Sequence, residues 1–162
     1  MSMEMNVAQL LKAPIGAGRG YDLSGVVNLD GCESLAEGGV ELVRIDRGIL
    51  ARGDFHLEIE ATCSRCLGVY RCPVRFHFEE EYLPVIALVG GRSQPAAKEP
   101  GFVIDEHNIL DLTEAVRQYA LLEMPMKPLC SEDCLGLCPT CGRNLNIGPC
   151  ACVPQEKQAN QE

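Results

Sequence analysis

Apolar and polar residues alternate along much of the first half of the chain, which is typical of half-buried β-strands. The pattern predicts antiparallel strands at 21–29, 40–45, 55–62 and 70–82, with a short further strand at 102–104. The polar, glycine-rich residues 30–39 are predicted to form a loop, and so are the Gly/Pro-rich residues 90–101. The residues predicted to face the core from the two longest strands are Phe55, Leu57, Ile59, Ala61, Cys72, Val74, Phe76 and Phe78.

The two longest predicted strands fit together as a hairpin that turns at Cys66–Leu67. In this register Leu57 faces Phe76 on the apolar side, and His56 faces His77 on the polar side. The register places the sequence CSRCLG at the tip of the hairpin, so that Cys63 and Cys66 flank a tight turn.

One main helix is predicted after these strands, over 111–124. Asp111 stands three residues before Glu114, as in a capping box, and Pro125 must end the helix near Met124. Its predicted apolar side consists of Leu112, Ala115, Val116, Tyr119, Ala120 and Leu122. Together these elements predict an α+β fold, with an antiparallel β-sheet, one main helix and a C-terminal Cys-rich segment resembling a zinc ribbon.

Length and charge limit the classes of protein that remain. At 162 residues with 46% hydrophobic residues, the chain predicts one globular domain over 1–129, a Cys-rich metal-binding segment packed on it over 130–152, and a disordered tail over 153–162. The net charge of −9 argues against broad electrostatic binding of nucleic acid and favours a basic partner. The N-terminus has no secretory pattern, and no run of residues is apolar enough to span a membrane, which predicts a cytoplasmic protein.

Ten cysteines in a reducing compartment point to metal ligation rather than to disulfides. Six of them fall between residues 130 and 152, and the C-x2-C pairs suit a soft metal because a short turn directs both sulfurs inward. Two zinc sites of four thiolates each are predicted, although a shared cluster of six thiolates also fits the spacing. One site contains Cys138, Cys141, Cys150 and Cys152, and the other contains Cys63, Cys66, Cys130 and Cys134.

Other readings of the same cysteines stay open at this point. Cys134, Cys138 and Cys141 have the C-x3-C-x2-C spacing of radical S-adenosylmethionine enzymes, but too few residues follow for the large barrel of those enzymes. Zinc held by C-x-C and C-x2-C pairs is also used by redox-regulated chaperones and sensors. Cys32 receives no role, and Cys72 is predicted to be a small buried hydrophobe. The chain shows no catalytic motif, so it is predicted not to be an enzyme.

Four segments of the chain carry a recognisable pattern: LLKAPIGAGRGYDLSG, CSRCL in the hairpin, ILDLTEAVRQYALLEMPMKPLC, and CLGLCPTCGRNLN followed by CAC. On these segments nearly the whole chain resembles one known family, the YceD family, in its cysteine-rich bacterial form. The resemblance implies a non-enzymatic factor that supports the synthesis or processing of large-subunit ribosomal RNA, or ribosome assembly.

An acidic member of such a family is expected to act as an adaptor. Its partner would be a basic ribosomal protein or rRNA-processing factor, with no small-molecule substrate and no membrane. Direct RNA contact would require a local basic patch, for which Arg65, Arg71 and Arg75 near the hairpin tip are the candidates.

Overall fold

The computed structural model of the protein describes residues 3–89, 92–95 and 101–152. The chain divides into two compact units. Unit 1 comprises Met1–Ile59 and Pro73–Met124, and unit 2 comprises Glu60–Cys72 and Pro125–Glu162. This division differs from the predicted linear one at residues 129/130, because Glu60–Cys72 joins the cysteine-rich segment rather than the domain that precedes it. The tail predicted at 153–162 lies outside the described residues.

A seven-stranded sheet is the main element of the fold. Its strands are β1 (Glu4–Asn6), β2 (Gly18–Leu29), β3 (Cys32–Arg44), β4 (Ile49–Thr62), β5 (Val69–Pro84), β8 (Phe102–Ile104) and β9 (Ile109–Asp111). They lie in the order β1-β9-β8-β5-β4-β3-β2. The sheet is mostly antiparallel, as predicted, but the pairing of β5 with β8 is parallel. Two further strands, β6 (Ile86–Val89) and β7 (Arg92–Pro95), form a separate pair, so the loop prediction for 90–101 is wrong at 92–95.

The hairpin of β2 and β3 is where the structure differs most from the sequence-based prediction. Residues 30–39 were expected to form a loop, but β3 begins at Cys32 and pairs with β2 from Leu29↔Cys32 to Gly18↔Val43. The turn consists of Asp30 and Gly31, with φ angles of 51° and 96°. A two-residue turn with positive φ at both positions matches the twist of the flanking strands, and Asp-Gly is a favoured sequence for it.

The apolar faces of β4 and β5 form the core of unit 1, as the alternation predicts. Phe55, Leu57, Val74, Phe76 and Phe78 are all buried. The Phe55 and Phe78 rings stack with centroids 5.9 Å apart. Such aromatic pairs stabilise a core beyond the area that they bury.

The side-chain contacts of His56 and His77 differ from the predicted facing of these two residues. His77 Nδ1 lies 3.0 Å from Asp54 Oδ1, and Asp54 is two positions from His56 on β4. On the other edge of β4, His56 lies opposite Glu37 of β3. The His56 Nε2 atom is 3.7 Å from Glu37 Oε2.

Two helices complete unit 1. The short α1 spans Ala8–Leu11, and α2 spans Thr113–Glu123. The Asp111 carboxylate accepts a hydrogen bond of 2.8 Å from the Thr113 N–H, so it satisfies one of the free amides at the start of α2. The backbone of Met124 is extended, as expected before Pro125. Buried α2 side chains are Ala115, Val116 and Ala120, whereas Leu122, predicted on the apolar side, is 76% exposed.

Candidate metal centres

Eight cysteine sulfurs assemble in unit 2 as two groups of four. We call Cys63, Cys66, Cys130 and Cys134 the first cysteine group, and Cys138, Cys141, Cys150 and Cys152 the second cysteine group. Within each group, the four Sγ atoms all lie within 4.8 Å of one another. This is the partition expected from the spacing of the cysteines, and it leaves no single cluster of six thiolates among the described residues.

The sulfur–sulfur distances match a single ion surrounded by four sulfurs. In the first group, Cys63 Sγ is 3.7 Å from Cys134 Sγ, and Cys66 Sγ is 3.7 Å from Cys130 Sγ. Sulfurs at about 2.3 Å from a tetrahedral zinc ion would lie about 3.8 Å apart. A disulfide would instead bring two sulfurs to about 2.05 Å. All ten cysteines are free thiols.

The first C-x2-C pair lies in a knuckle-shaped turn between β4 and β5. The Leu67 N–H donates to the Cys63 carbonyl at 2.9 Å, and the Cys63 N–H donates to the Gly68 carbonyl at 2.8 Å. These bonds close the turn and hold both sulfurs on the same side of it. Leu67 adopts a left-handed conformation with φ of 59°, where glycine would carry no strain.

The second C-x2-C pair repeats the same backbone bonds. The Gly142 N–H donates to the Cys138 carbonyl at 2.8 Å, and the Cys138 N–H donates to the Arg143 carbonyl at 2.8 Å. Gly142 supplies the left-handed residue, with φ of 73°. Cys150 then approaches this turn, with its sulfur 3.4 Å from that of Cys138. The two pairs are therefore equivalent knuckles, each joined by two later cysteines.

Backbone amides directed at a sulfur stabilise its thiolate form in both knuckles. The pKa of Cys63 is lowered to about 6, chiefly by the Cys66 amide. The pKa of Cys138 is likewise lowered to about 6, chiefly by the Cys141 amide. A thiolate is the form that binds a metal, so the first cysteine of each knuckle is prepared for ligation.

Neighbouring sulfurs have the opposite effect on one later cysteine of each group, because they raise the pKa of its thiol. Hydrogen bonding to Cys134 is the main cause that raises the pKa of Cys130 to about 12. Hydrogen bonding to Cys141 is the main cause that raises the pKa of Cys152 to about 12. Without a cation, four adjacent sulfurs cannot all be ionised, because like charges disfavour one another. A divalent ion at the centre would remove this conflict.

Hydrogen bonds from Ser64 and Arg65 join the two chain segments that carry the first cysteine group, residues 63–66 and 130–134. The Ser64 N–H donates to the Pro128 carbonyl at 2.8 Å. The Arg65 guanidinium donates to the carbonyls of Glu132 and Cys134, at 3.2 and 3.1 Å. Arg65 is also one of the three arginines of the predicted basic patch, and these two bonds place it beside the first cysteine group.

The first cysteine group is largely shielded from solvent. Cys63 and Cys134 are 0% and 5% exposed, and the partly buried Tyr70 and Leu129 pack against them. Asn146 donates to Cys134 Sγ at 3.3 Å and thereby lowers the pKa of that thiol. This contact is not predictable from the sequence, because an asparagine in a cysteine-rich loop has the pattern of an ordinary turn residue.

Neither Cys32 nor Cys72 belongs to a cysteine group. Cys32 is exposed, and Cys72 is partly buried rather than fully buried as predicted. The groups found among the described residues contain cysteine alone, with no histidine or carboxylate. Four protein ligands around one ion leave no open position for a substrate, so these groups have the form of structural rather than catalytic metal sites.

Two four-sulfur groups, in a chain that also forms a mostly antiparallel sheet and two helices, define a small cysteine-rich protein compatible with metal binding. A family model described as large ribosomal RNA subunit accumulation protein YceD matches residues 51–161. The chain therefore belongs to the YceD family. The description of the family indicates a role in accumulation of the large ribosomal RNA subunit, and it names no enzymatic activity.

Relatives of the chain occur in mycobacteria and in plants. An uncharacterized protein of Mycobacterium tuberculosis is 30% identical over 166 residues, which cover 91% of this chain and 72% of the relative. A Mycobacterium leprae protein is 28% identical, with coverage of 72% and 58%. The Zea mays protein named large ribosomal RNA subunit accumulation protein YCED homolog 1, chloroplastic, is 38% identical over 50 residues, 30% of this chain and 17% of the maize protein.

No solved structure matches the chain with significance. Among the described helices, none has the length and apolar character needed to cross a membrane.

Proposed function

We propose that this protein is a non-enzymatic factor that supports accumulation of large-subunit ribosomal RNA or ribosome assembly, and that structural zinc stabilises it. The description of the family supports a role in accumulation of large-subunit ribosomal RNA. The two groups of four cysteines support a structural role for the metal. Neither group has the open coordination position that metal catalysis requires.

Zinc is the metal that the sites fit best. All eight donor atoms are sulfurs, which favours zinc or iron over hard cations. The separations of 3.4 to 3.7 Å suit one ion at the centre of four sulfurs. Because the ligands of the first cysteine group come from two distant segments of the chain, binding would couple closely to the folding of unit 2.

The distribution of charge suggests how the factor contacts its partner. Unit 1 contains 9 basic and 18 acidic residues, whereas unit 2 contains 5 of each. The acidic surplus of the chain thus lies in unit 1, and each tetrathiolate zinc site would add a charge of about −2 to unit 2. We propose that unit 1 binds a basic partner, such as a ribosomal protein or an rRNA-processing factor, and influences RNA through it.

A redox sensor or redox-regulated chaperone is the second candidate. One observation favours it, namely that each cysteine group has an exposed member, Cys130 in the first and Cys141 in the second. Burial of Cys63, Cys66 and Cys134 argues against fast oxidation of the first group. A sensor would lose zinc within the time that peroxide oxidises a free exposed thiol such as Cys32, whereas a structural site would retain it for much longer.

The proposed function is tested by depleting the protein in its own organism and measuring the ratio of large-subunit to small-subunit ribosomal RNA. The ratio is expected to fall, and the wild-type protein supplied from a plasmid is expected to restore it. The Cys138→Ser/Cys141→Ser variant should fail to restore it, whereas Cys32→Ser, outside both cysteine groups, should restore it. An unchanged ratio after full depletion would contradict the proposal.

A further inference from the structure

A short two-stranded segment joins the two cysteine groups. One side, residues 134–138, begins at a member of the first cysteine group and ends at a member of the second. The other side, residues 143–146, lies inside the loop between Cys141 and Cys150. We call these two segments the connecting ribbon. Its backbone contacts are Cys138 N–H to Arg143 O at 2.8 Å, an antiparallel bridge of Leu137 with Asn144, and Leu145 N–H to Gly136 O at 2.9 Å.

Asn146 closes the end of the connecting ribbon that lies at the first cysteine group. Its side-chain oxygen accepts from the Leu135 N–H at 2.8 Å, and its side-chain nitrogen donates to Cys134 Sγ at 3.3 Å. Asn146 is itself held by the Asn144 side chain, which accepts from both the backbone and the side-chain N–H of Asn146 at 2.9 Å. The amide plane of Asn146 is therefore fixed on three sides.

We propose that Asn146 is a positioning residue that couples metal binding at the two cysteine groups. This coupling rests on the zinc sites of the proposed function, and it makes the zinc affinity of each group depend on whether the other group is occupied. Metal in the second cysteine group fixes Cys141 and Cys150, the two ends of the loop that carries Asn146. The ordered loop holds Asn146 against Cys134, where an N–H donor to the sulfur orients this ligand and stabilises its thiolate.

The coupling works in both directions. If occupation of the second cysteine group raises the zinc affinity of the first, occupation of the first must raise that of the second by the same factor. Loading of the chain is therefore cooperative. A chain that has lost one ion is also expected to lose the other more readily.

Removal of the Asn146 side chain should weaken zinc binding mainly at the first cysteine group. Contacts of this kind to a metal ligand are typically worth about 10- to 100-fold in affinity, so we expect Asn146→Ala to weaken the first group by this factor. The same substitution should have a much smaller effect in a chain with the second group disabled by Cys150→Ser/Cys152→Ser, because Asn146 is then no longer held in place. This non-additivity is the mark of coupling.

The experiment uses the full chain, reduced and loaded with zinc, in competition with a chelator of known affinity. Alkylation of the thiols released at each chelator concentration, read by peptide mass spectrometry, reports Cys63 and Cys150 separately and so distinguishes the groups. Asn28→Ala is the matched control, because Asn28 also accepts a backbone N–H in a turn, that of Gly31 at 2.9 Å, and belongs to neither cysteine group. It should leave both affinities unchanged.

Two results would overturn the inference, and they are distinguishable. Two zinc ions per chain with equal affinities in Asn146→Ala and Asn28→Ala would refute the coupling and leave the zinc sites of the proposed function intact. Failure of the wild-type chain to bind zinc would refute the sites themselves, and the coupling with them. A global loss of fold in Asn146→Ala is checked by Asn146→Asp, which keeps the acceptor for Leu135 but removes the donor to Cys134 and should weaken the same group.

Discussion

Gly136 lies where the connecting ribbon meets the first knuckle, and replacing it with alanine tests how closely the two are packed. The residue has φ of 73°, and an added Cβ would lie 3.1 Å from the Arg65 carbonyl oxygen and 3.3 Å from Arg65 Cβ. Arg65 cannot easily move away, because its guanidinium is bound to Glu132 and Cys134 and because it belongs to the knuckle that carries Cys63.

The expected cost of Gly136→Ala has two parts. A left-handed backbone costs alanine about 1 kcal/mol. Overpacking against a fixed neighbour adds about 1–2 kcal/mol. The total of about 2–3 kcal/mol corresponds to a zinc affinity of the first cysteine group that is about 30- to 150-fold weaker. The affinity is measured by chelator competition with alkylation of Cys63 as the readout.

Gly142→Ala is the matched control for this prediction. Gly142 has the same φ of 73° in the second knuckle, but an added Cβ there would meet no described atom within 4 Å. It should therefore suffer the backbone strain alone, about 1 kcal/mol, which is about a five-fold weaker affinity at the second cysteine group. Equal losses in the two variants would refute the reasoning, because the contact with Arg65 would then carry no cost.

Three further predictions concern the sheet, the helix and the thiols. Gly38→Ala would place a Cβ 2.1 Å from the Asp54 carbonyl oxygen. It should therefore lower the free energy of unfolding, measured by denaturant titration, by about 3 kcal/mol. Gly20→Ala, whose added Cβ would have its nearest contact at 4.0 Å, should change the free energy of unfolding by less than about 1 kcal/mol. Hydrogen bonds from Arg117 lower the pKa of Glu114 to about 2, so this carboxylate stabilises α2 above its unfolded pKa of about 4.3 and the contribution disappears as pH falls towards about 2. Because Glu114 is half exposed, Glu114→Gln should cost no more than about 1 kcal/mol at neutral pH. The cost should be clearly smaller at about pH 2, where the carboxyl is half protonated in the folded protein. An equal cost at both pH values would contradict the ion pair. In zinc-loaded protein, a thiol reagent should quickly modify only the cysteines outside the two groups. After chelation of the zinc under denaturing conditions it should modify all ten cysteines. Quick modification of all ten cysteines before chelation would contradict protection by the metal.

Strand alternation and cysteine spacing were the most informative features of the sequence. The buried faces of β4 and β5 follow directly from their period of two, because each side chain on a strand points opposite to the next. The partition of eight cysteines into two groups follows from the short knuckles, since each C-x2-C pair already fixes half of a site. The structure adds that the two knuckles are the same backbone motif.

Other features depended on interactions that the spacing of residues does not encode. The Asp30–Gly31 turn carried a recognisable signal, but the polar residues around it obscured the strand that begins at Cys32. The parallel pairing of β5 with β8 joins segments distant in sequence. The contacts of Arg65 and Asn146 with the cysteine groups depend on how segments 63–68, 130–138 and 143–146 come together, and a charged or amide side chain in a loop does not reveal that from sequence.

The metal content of the chain tests the central claim most directly. Protein purified anaerobically without added metal should contain two zinc ions per chain, measured by mass spectrometry of the metal against the protein concentration. Cys138→Ser/Cys141→Ser should contain fewer than two, with the second cysteine group empty. One zinc ion per wild-type chain, iron accompanied by sulfide, or no metal with ten free thiols would each contradict two structural zinc sites.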